Sequence, residues 1–223
     1  NFKPEFETFI SETYTKQALS PEMIFGYVYA VLHSQKYRTT FEEFLKTDFP
    51  KIPFVDDYGK FKKLSELGNE LIEYHLMKKV PSKNTVRFAV SGTDELTKIK
   101  YDDNKLFINN NQYFSGIPKE VWEFYIGGYH VLDKWLKSRK GEKLTYKDIE
   151  MFIKISSIIA ETIKIMEKID KIRNYLKIIK KSRQFLIPLL GTVSMLMAQG
   201  QKRKLANCPD NRFIACTNTN ISN

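Results

Sequence analysis

The stretch VRFAVSGTDELTKIKYDDNKLFI, Val86–Ile108, departs from the helical periodicity on either side of it. Val86, Phe88 and Val90 alternate with polar residues, and so do the runs Leu96–Tyr101 and Leu106–Ile108. A period of two places one set of side chains on a buried face and the other in water. Asp102-Asp103-Asn104 and Asn109-Asn110-Asn111 punctuate the runs as turns, so the stretch predicts a small antiparallel meander.

Helices flank it. Ser20-Pro21-Glu22 supplies an N-cap, a proline at the first helical position and an acid facing the helix dipole, and a helix over Pro21–His33 follows. A second helix is expected from Thr40 to Asp48, stopped by Pro50 and Pro53, which force an extended link. A third, from about Asp57 to Lys79, carries Phe61, Leu64, Leu67, Leu71, Ile72, His75 and Leu76 as an apolar stripe and ends before Pro81. Beyond the meander, Val121–Ile126 reads as a last strand or a helix, broken by Gly127-Gly128. A short helix over Val131–Leu136 and a turn over Ser138–Gly141 follow. Thr145 with Asp148 then caps a long helix reaching Asp170 or beyond. The fold class is therefore α+β, with helices flanking a small meander and a long C-terminal helix. The chain divides by character into a helical part (1–80), the meander and connecting segment (81–137), a C-terminal helical part (138–180) and a tail (181–223).

Charge sharpens this division. The formal net charge is +10, yet Asn1–Asp170 holds 26 Lys and Arg against 25 Asp and Glu, while Lys171–Asn223 holds 10 against 1. A polyanion-binding role for the body must rest on local clusters rather than on the overall pI. Cys208 and Cys216 both lie in the tail, so the body has no disulfide framework or thiolate metal site, consistent with a reducing cytoplasm. The tail joins an uncharged run, Gln184–Gln201, to basic flanks, with an apolar centre too short for a membrane span of about 20 residues. Three readings of it stay open: a last core helix, a weak membrane contact, or sequence joined from another reading frame, the last being favoured. No membrane association is expected of the body. Asn1 in place of Met, followed by Phe2–Phe9, which reads as mid-protein sequence, gives the expectation of a cut end.

Chemistry-bearing motifs are missing from the sequence. No GxGxxG or GxxxxGK[ST] loop occurs, and no Asn-Pro-Pro-aromatic loop. His33, His75 and His130 stand apart along the chain without HExxH spacing, and the paired acids Asp102-Asp103 suit a hairpin turn better than a metal site. No catalytic, cofactor-binding or metal-ligating residue is assigned.

Two aromatic-dense segments carry a resemblance. The first is YVYAVLHSQKYRTTFEEFLKTDFPKIPF, Tyr27–Phe54, with LSELGNELIEYHL, Leu64–Leu76; the second is YFSGIPKEVWEFYIGGYHVLDKWLKSRKG, Tyr113–Gly141. Together, and over about 1–170, the chain resembles the C-terminal specificity (target-recognition) domain of type ISP and related restriction-modification enzymes. The resemblance implies recognition of duplex DNA on behalf of an N6-adenine methyltransferase domain located N-terminally in the same polypeptide, with S-adenosylmethionine as that parent enzyme's cofactor. The residues fit a DNA-facing role in two places. Lys134, Lys137, Arg139, Lys140, Lys143 and Lys147 fall within one short window opposed there only by Glu142, and could lie along phosphates. Arg87, Lys98, Lys100, Asn109, Asn110, Asn111 and Gln112 are donors able to reach base edges from the meander. Trp135, Leu136, Val131 and Leu132 belong to the core. The alternative is a helical protein-interaction or scaffold module without DNA specificity, its aromatic segments forming a partner surface.

Overall fold

In the computed structural model, which describes residues 4–14, 17 and 19–172, the chain divides into two units. The tail, both cysteines and Phe2 lie outside the described residues. Of the described residues, those up to Leu76 and those from Ile165 to Ile172 form one unit; the other is Met77–Lys164. No described helix is long and apolar enough to cross a membrane.

The first unit contains α1 (Pro4–Thr13), α2 (Pro21–His33), α3 (Gln35–Thr40), α4 (Glu42–Thr47) and α5 (Tyr58–His75), and the end of α8 (Tyr146–Ile172). Helix α2 has the predicted bounds because its first free amides are satisfied locally: the Ser20 hydroxyl accepts from the Met23 amide at 3.3 Å. Asp57 does the same for α5, accepting from the Lys60 amide at 2.7 Å. The helix expected over Thr40–Asp48 is α4, and a further short helix, α3, precedes it. Buried Ser34 caps α3 by accepting from the Tyr37 amide at 3.1 Å, and Phe41, at φ −113°, breaks the chain direction before α4. Helix α5 stops at His75 rather than near Lys79, because Met77 adopts a left-handed φ of 56°.

Three tyrosine hydroxyls hold the extended link after α4. Tyr37 donates to the Lys51 carbonyl at 2.9 Å, Tyr27 to the Pro53 carbonyl at 2.7 Å, and Tyr14 to the Val55 carbonyl. Prolines and extended backbone leave carbonyls without sheet or helix partners, so buried hydroxyls are needed to satisfy them. Phe54 and Phe61 both pack on Tyr27, with centroids 4.9 and 4.8 Å away, and lie 6.4 Å from each other. That stack is the core of the unit.

The second unit holds β1 (Arg87–Phe88), β2 (Lys100–Asp102), β3 (Lys105–Phe107), β4 (Tyr113–Ser115), α6 (Lys119–Trp122), β5 (Tyr125–Ile126), β6 (Tyr129–His130), α7 (Val131–Lys137) and most of α8. Strands β2, β3 and β4 form the predicted antiparallel meander, but the order is β1-β4-β3-β2, so β1 closes against the far edge rather than against its neighbour in sequence. Asp103 and Asn104 turn between β2 and β3 at φ 44° and 57°, a backbone that short Asp and Asn side chains tolerate. Within the four-stranded sheet, the run Leu96–Tyr101 pairs only at its end. Thr97 and Lys98 both donate to the Ile108 carbonyl at 2.9 Å, a bulge that interrupts the ladder. Val121–Ile126 contains both expected elements in turn, helix α6 and then strand β5. Leu106, Phe114, Leu132, Trp135 and Phe152 share the core, with the Phe114 and Phe152 rings 4.3 Å apart.

Candidate nucleic-acid interface

The strand register sorts the sheet's side chains onto two faces. Tyr101, Leu106, Phe114 and Phe88 lie across from one another toward the core. The opposite face carries Asp102, Lys105, Ser115 and Arg87 in one row and Lys100, Phe107 and Tyr113 in the next. Arg87 and Lys100 of the predicted set therefore share one face, and Lys105, Phe107 and Tyr113, which the sequence reading passed over, join them. The Phe107 and Tyr113 rings pack 5.2 Å apart, and the Lys105 ammonium sits 5.2 Å over the Tyr113 ring. Arg87 donates to the Asn84 and Val86 carbonyls at 2.8 and 2.9 Å, which fixes its guanidinium beside the strand. Lys100 bridges to Asp102 at 2.9 Å, both exposed. The signal for the missing residues was the alternation Tyr113-Phe114-Ser115, too short to read as a strand without its partner.

A second group gathers at the bulge. Leu96 donates to the Glu142 carbonyl and Gly141 to the Leu96 carbonyl, each at 2.9 Å, and Leu144 donates to the Asp94 carbonyl at 2.8 Å. These bonds bring the segment of exposed Lys98 beside that of exposed Lys140 and Lys143, joining two predicted clusters separated by some forty residues of chain. Ile108 and Gln112 close the adjoining loop, whose exposed tip is Asn110.

Gln112 is a different matter. It is 1% exposed. Its carbonyl oxygen accepts from the Asp94 amide at 2.8 Å and from Asn109 Nδ2 at 2.9 Å, while its Nε2 donates to the Val90 carbonyl at 2.9 Å and to Asp94 Oδ1 at 2.7 Å. The expectation that it reads a base edge is corrected: the amide is spent on holding three loop segments together. Asn109 is likewise engaged, its Oδ1 accepting from the Asn111 and Gln112 amides.

The basic window on α7 and the turn after it divides in the same way. Its boundaries are acids, Asp133 and Asp148, and each takes one cation. Lys137 pairs with Asp133 at 2.7 Å on the surface. Half-buried Arg139 bonds Asp148 at 3.0 Å and lies 3.8 Å over the Trp135 ring, so it braces the turn against α8 rather than facing outward. Asp148 is held below the ordinary carboxylate range: burial acts to raise its pKa, but hydrogen bonds from the Thr145 hydroxyl and amide and from Arg139 outweigh it. This is the predicted capping pair, with the Asp148 amide donating back to the Thr145 hydroxyl at 3.2 Å. Lys134 rests over the Tyr129 ring at 3.5 Å. Lys140, Lys143 and Lys147 are exposed.

Two of the three histidines are not isolated. Packing of α2 on α5 brings the His33 and His75 rings to 5.3 Å, with the Tyr29 hydroxyl donating to His75 Nδ1 at 2.7 Å and His33 Nδ1 donating to the Tyr29 carbonyl at 2.9 Å. Burial lowers the His33 pKa to about 4, and burial together with His33 lowers that of His75 to about 3. Among the described residues, no group of three or more His, Cys, Asp and Glu could hold a metal ion.

A helical unit and a small antiparallel sheet whose outer face and adjoining turns carry lysines, an arginine, amides and aromatic rings define a module suited to contact with a polyanion. The model of the Type ISP C-terminal specificity domain matches residues 1–168, and the chain belongs to that family. Solved structures with this fold include the DrdV–DNA complex, 21% identical, with a TM-score of 0.61 over 75% of this chain and 20% of that one. A nuclease-deletion mutant of the Type ISP restriction-modification enzyme LlaGI, in complex with a DNA substrate mimic, is 20% identical with a TM-score of 0.53 over 68% of this chain and 16% of that one. The ATP-dependent Type ISP restriction-modification enzyme LlaBIII, bound to DNA, is 20% identical with a TM-score of 0.53 over 72% of this chain and 12% of that one. The chain thus spans a fifth or less of the length of each. No curated protein sequence matches it.

Proposed function

We propose that this specificity domain reads duplex DNA for a restriction-modification enzyme, positioning an adenine for an N6-adenine methyltransferase domain that precedes it in the same polypeptide and uses S-adenosylmethionine. The observation that carries the reading is the family match over residues 1–168, to which the DNA-bound state of the three structural neighbours adds support. On this reading the domain acts on DNA in the cytoplasm.

In this reading the exposed cations Lys98, Lys100, Lys134, Lys137, Lys140 and Lys143 neutralise phosphates and set the register of the module on the duplex. Arg87 and Asn110 are the candidates for base edges, since a guanidinium presents paired donors and a side-chain amide a donor beside an acceptor, the patterns that discriminate bases in the major groove. Arg139 supports the turn bearing Lys140. The scaffold alternative has no comparable observation in its favour.

The test is a titration of the full chain with labelled duplex across a salt series. Non-specific affinity of roughly 1–100 µM, falling linearly on a log–log plot against salt, is the expected result. A chain that leaves duplex unbound even at low salt refutes the reading. Exchange of the loop carrying Asn110 in an enzyme that carries this domain behind its methyltransferase should change the methylated sequence, whereas a scaffold module would leave it unchanged.

A further inference from the structure

The β5–β6 hairpin is a two-residue turn standing on an aromatic column. Tyr125 stacks on His130 with centroids 4.8 Å apart, His130 packs on Trp122 at 4.5 Å, and Trp122 stacks on Tyr101 at 5.7 Å. The His130 ring also donates to the Trp122 carbonyl, and Val131 donates to the Phe124 carbonyl at 3.2 Å. A hairpin of two-residue strands does not hold its shape alone. This one is fixed at its base and presents its tip outward, with Tyr125 52% and Tyr129 39% exposed.

The tip is Gly127-Gly128. Of the glycines in this unit, Gly116, Gly127 and Gly141 take left-handed backbone, at φ 76°, 57° and 87°, and Gly92 and Gly116 lack room for a Cβ. Gly128 meets neither condition. It is not left-handed, and a Cβ there would meet nothing within 4 Å. A turn whose first residue alone is left-handed accepts any residue second, so the fold does not explain this glycine. A glycine with open space above it lets the atoms of another molecule come close to its backbone.

The chemistry at the tip selects that something. No described residue accepts a hydrogen bond from the Gly127 or Gly128 amide, so two successive donors face outward without side chains to shield them. Lys134 adds a cation over the Tyr129 ring. The neighbouring carboxylates are already matched, Glu123 by Lys119 at 3.7 Å and Asp133 by Lys137 at 2.7 Å. We propose that the Gly127-Gly128 tip, flanked by Tyr129 and Lys134, seats a backbone phosphate of duplex DNA. The inference rests on the DNA-reading function above and adds to it a backbone contact at the tip of the β5–β6 hairpin.

Fluorescence anisotropy of the full chain with a fluorescein-labelled duplex of mixed sequence tests it, alongside thermal melts by circular dichroism. Gly128→Leu should keep its melting midpoint and lose about tenfold or more in affinity. Lys134→Gln should lose several-fold and flatten the salt slope by about 1. Lys46→Gln, which removes one surface charge on α4, should bind as the native chain does. Native-like binding by both Gly128→Leu and Lys134→Gln overturns the phosphate seat while leaving DNA recognition standing. Absence of binding by the native chain removes the functional reading and this inference with it. Should Gly128→Leu melt early, Lys134→Gln decides, its binding read at a temperature where its own melt shows it folded.

Discussion

Gly26 of α2 and Gly68 of α5 meet backbone to backbone: a Cβ on Gly68 would lie 1.8 Å from the Gly26 carbonyl oxygen, and one on Gly26 would lie 2.5 Å from the Ser65 carbonyl oxygen. The two helices cross this closely because neither has a side chain at the crossing, and their axes set where Tyr27, Phe61, His33 and His75 end up.

Gly68→Ala should therefore cost about 3 kcal/mol or more, at the upper end of overpacking, because the atoms in the way are backbone and cannot rotate aside. Chemical denaturation of the variant measures it. A loss below about 1 kcal/mol would contradict the crossing geometry.

Gln112→Met keeps the volume but leaves the Asp94 amide and the Val90 carbonyl without their partner inside the protein. The expected loss is about 2–3 kcal/mol of stability. Affinity for DNA, measured well below the melting midpoint, should change little. A variant of native stability with altered sequence preference would return Gln112 to the reading surface.

The His33–His75 pair makes stability depend on pH. Both folded pKa values, about 4 and about 3, lie below the ordinary imidazole value, so between that value and the folded ones the unfolded chain binds more protons than the native one. Stability contributed by the neutral rings is complete above about pH 6.5 and drains away as pH falls toward 4. For two partly exposed rings the total is on the order of 1–3 kcal/mol. Replacing His75 by Gln should flatten the melting midpoint between pH 6.5 and 4; an unchanged pH profile would sink the assignment.

Arg139 and Lys140 are adjacent in sequence and should behave oppositely. Arg139→Gln loses the Asp148 bond and the Trp135 stack, costing about 1–2 kcal/mol of stability with a modest effect on the salt slope. Lys140→Gln should leave the melt unchanged and flatten the salt dependence of DNA binding by about 1. Equal effects of the two on binding would argue against the division of the basic window into brace and contact.

Where the sequence could be read, the reason is that the signal and the structure lie within one turn of each other. Ser20, Asp57 and the Thr145–Asp148 pair satisfy amides three residues away, so the starts of α2, α5 and α8 follow from neighbouring residues alone. The Asp103-Asn104 turn and the alternation of the meander are local in the same sense, and the aromatic pattern over Tyr113–Gly141 was enough to point to the family. The fraying of these readings is local too. The early end of α5 depends on the backbone of Met77, a residue with no compositional sign of left-handed conformation.

Everything decided by packing across long separations was closed to that reading. Strand β1 lies beside β4 because the sheet closes on residues nearly thirty positions away, and only that pairing places Arg87 in a row with Lys105. Gln112 and Arg139 look like surface donors in one dimension; tertiary contacts turn both into structural braces. His33 and His75 come together only through the helix crossing at Gly26 and Gly68. The sequence by itself determined the α+β class, the helix starts and the family. The tertiary structure decided which donors still face outward, because a side chain's availability depends on what the rest of the chain has already asked of it.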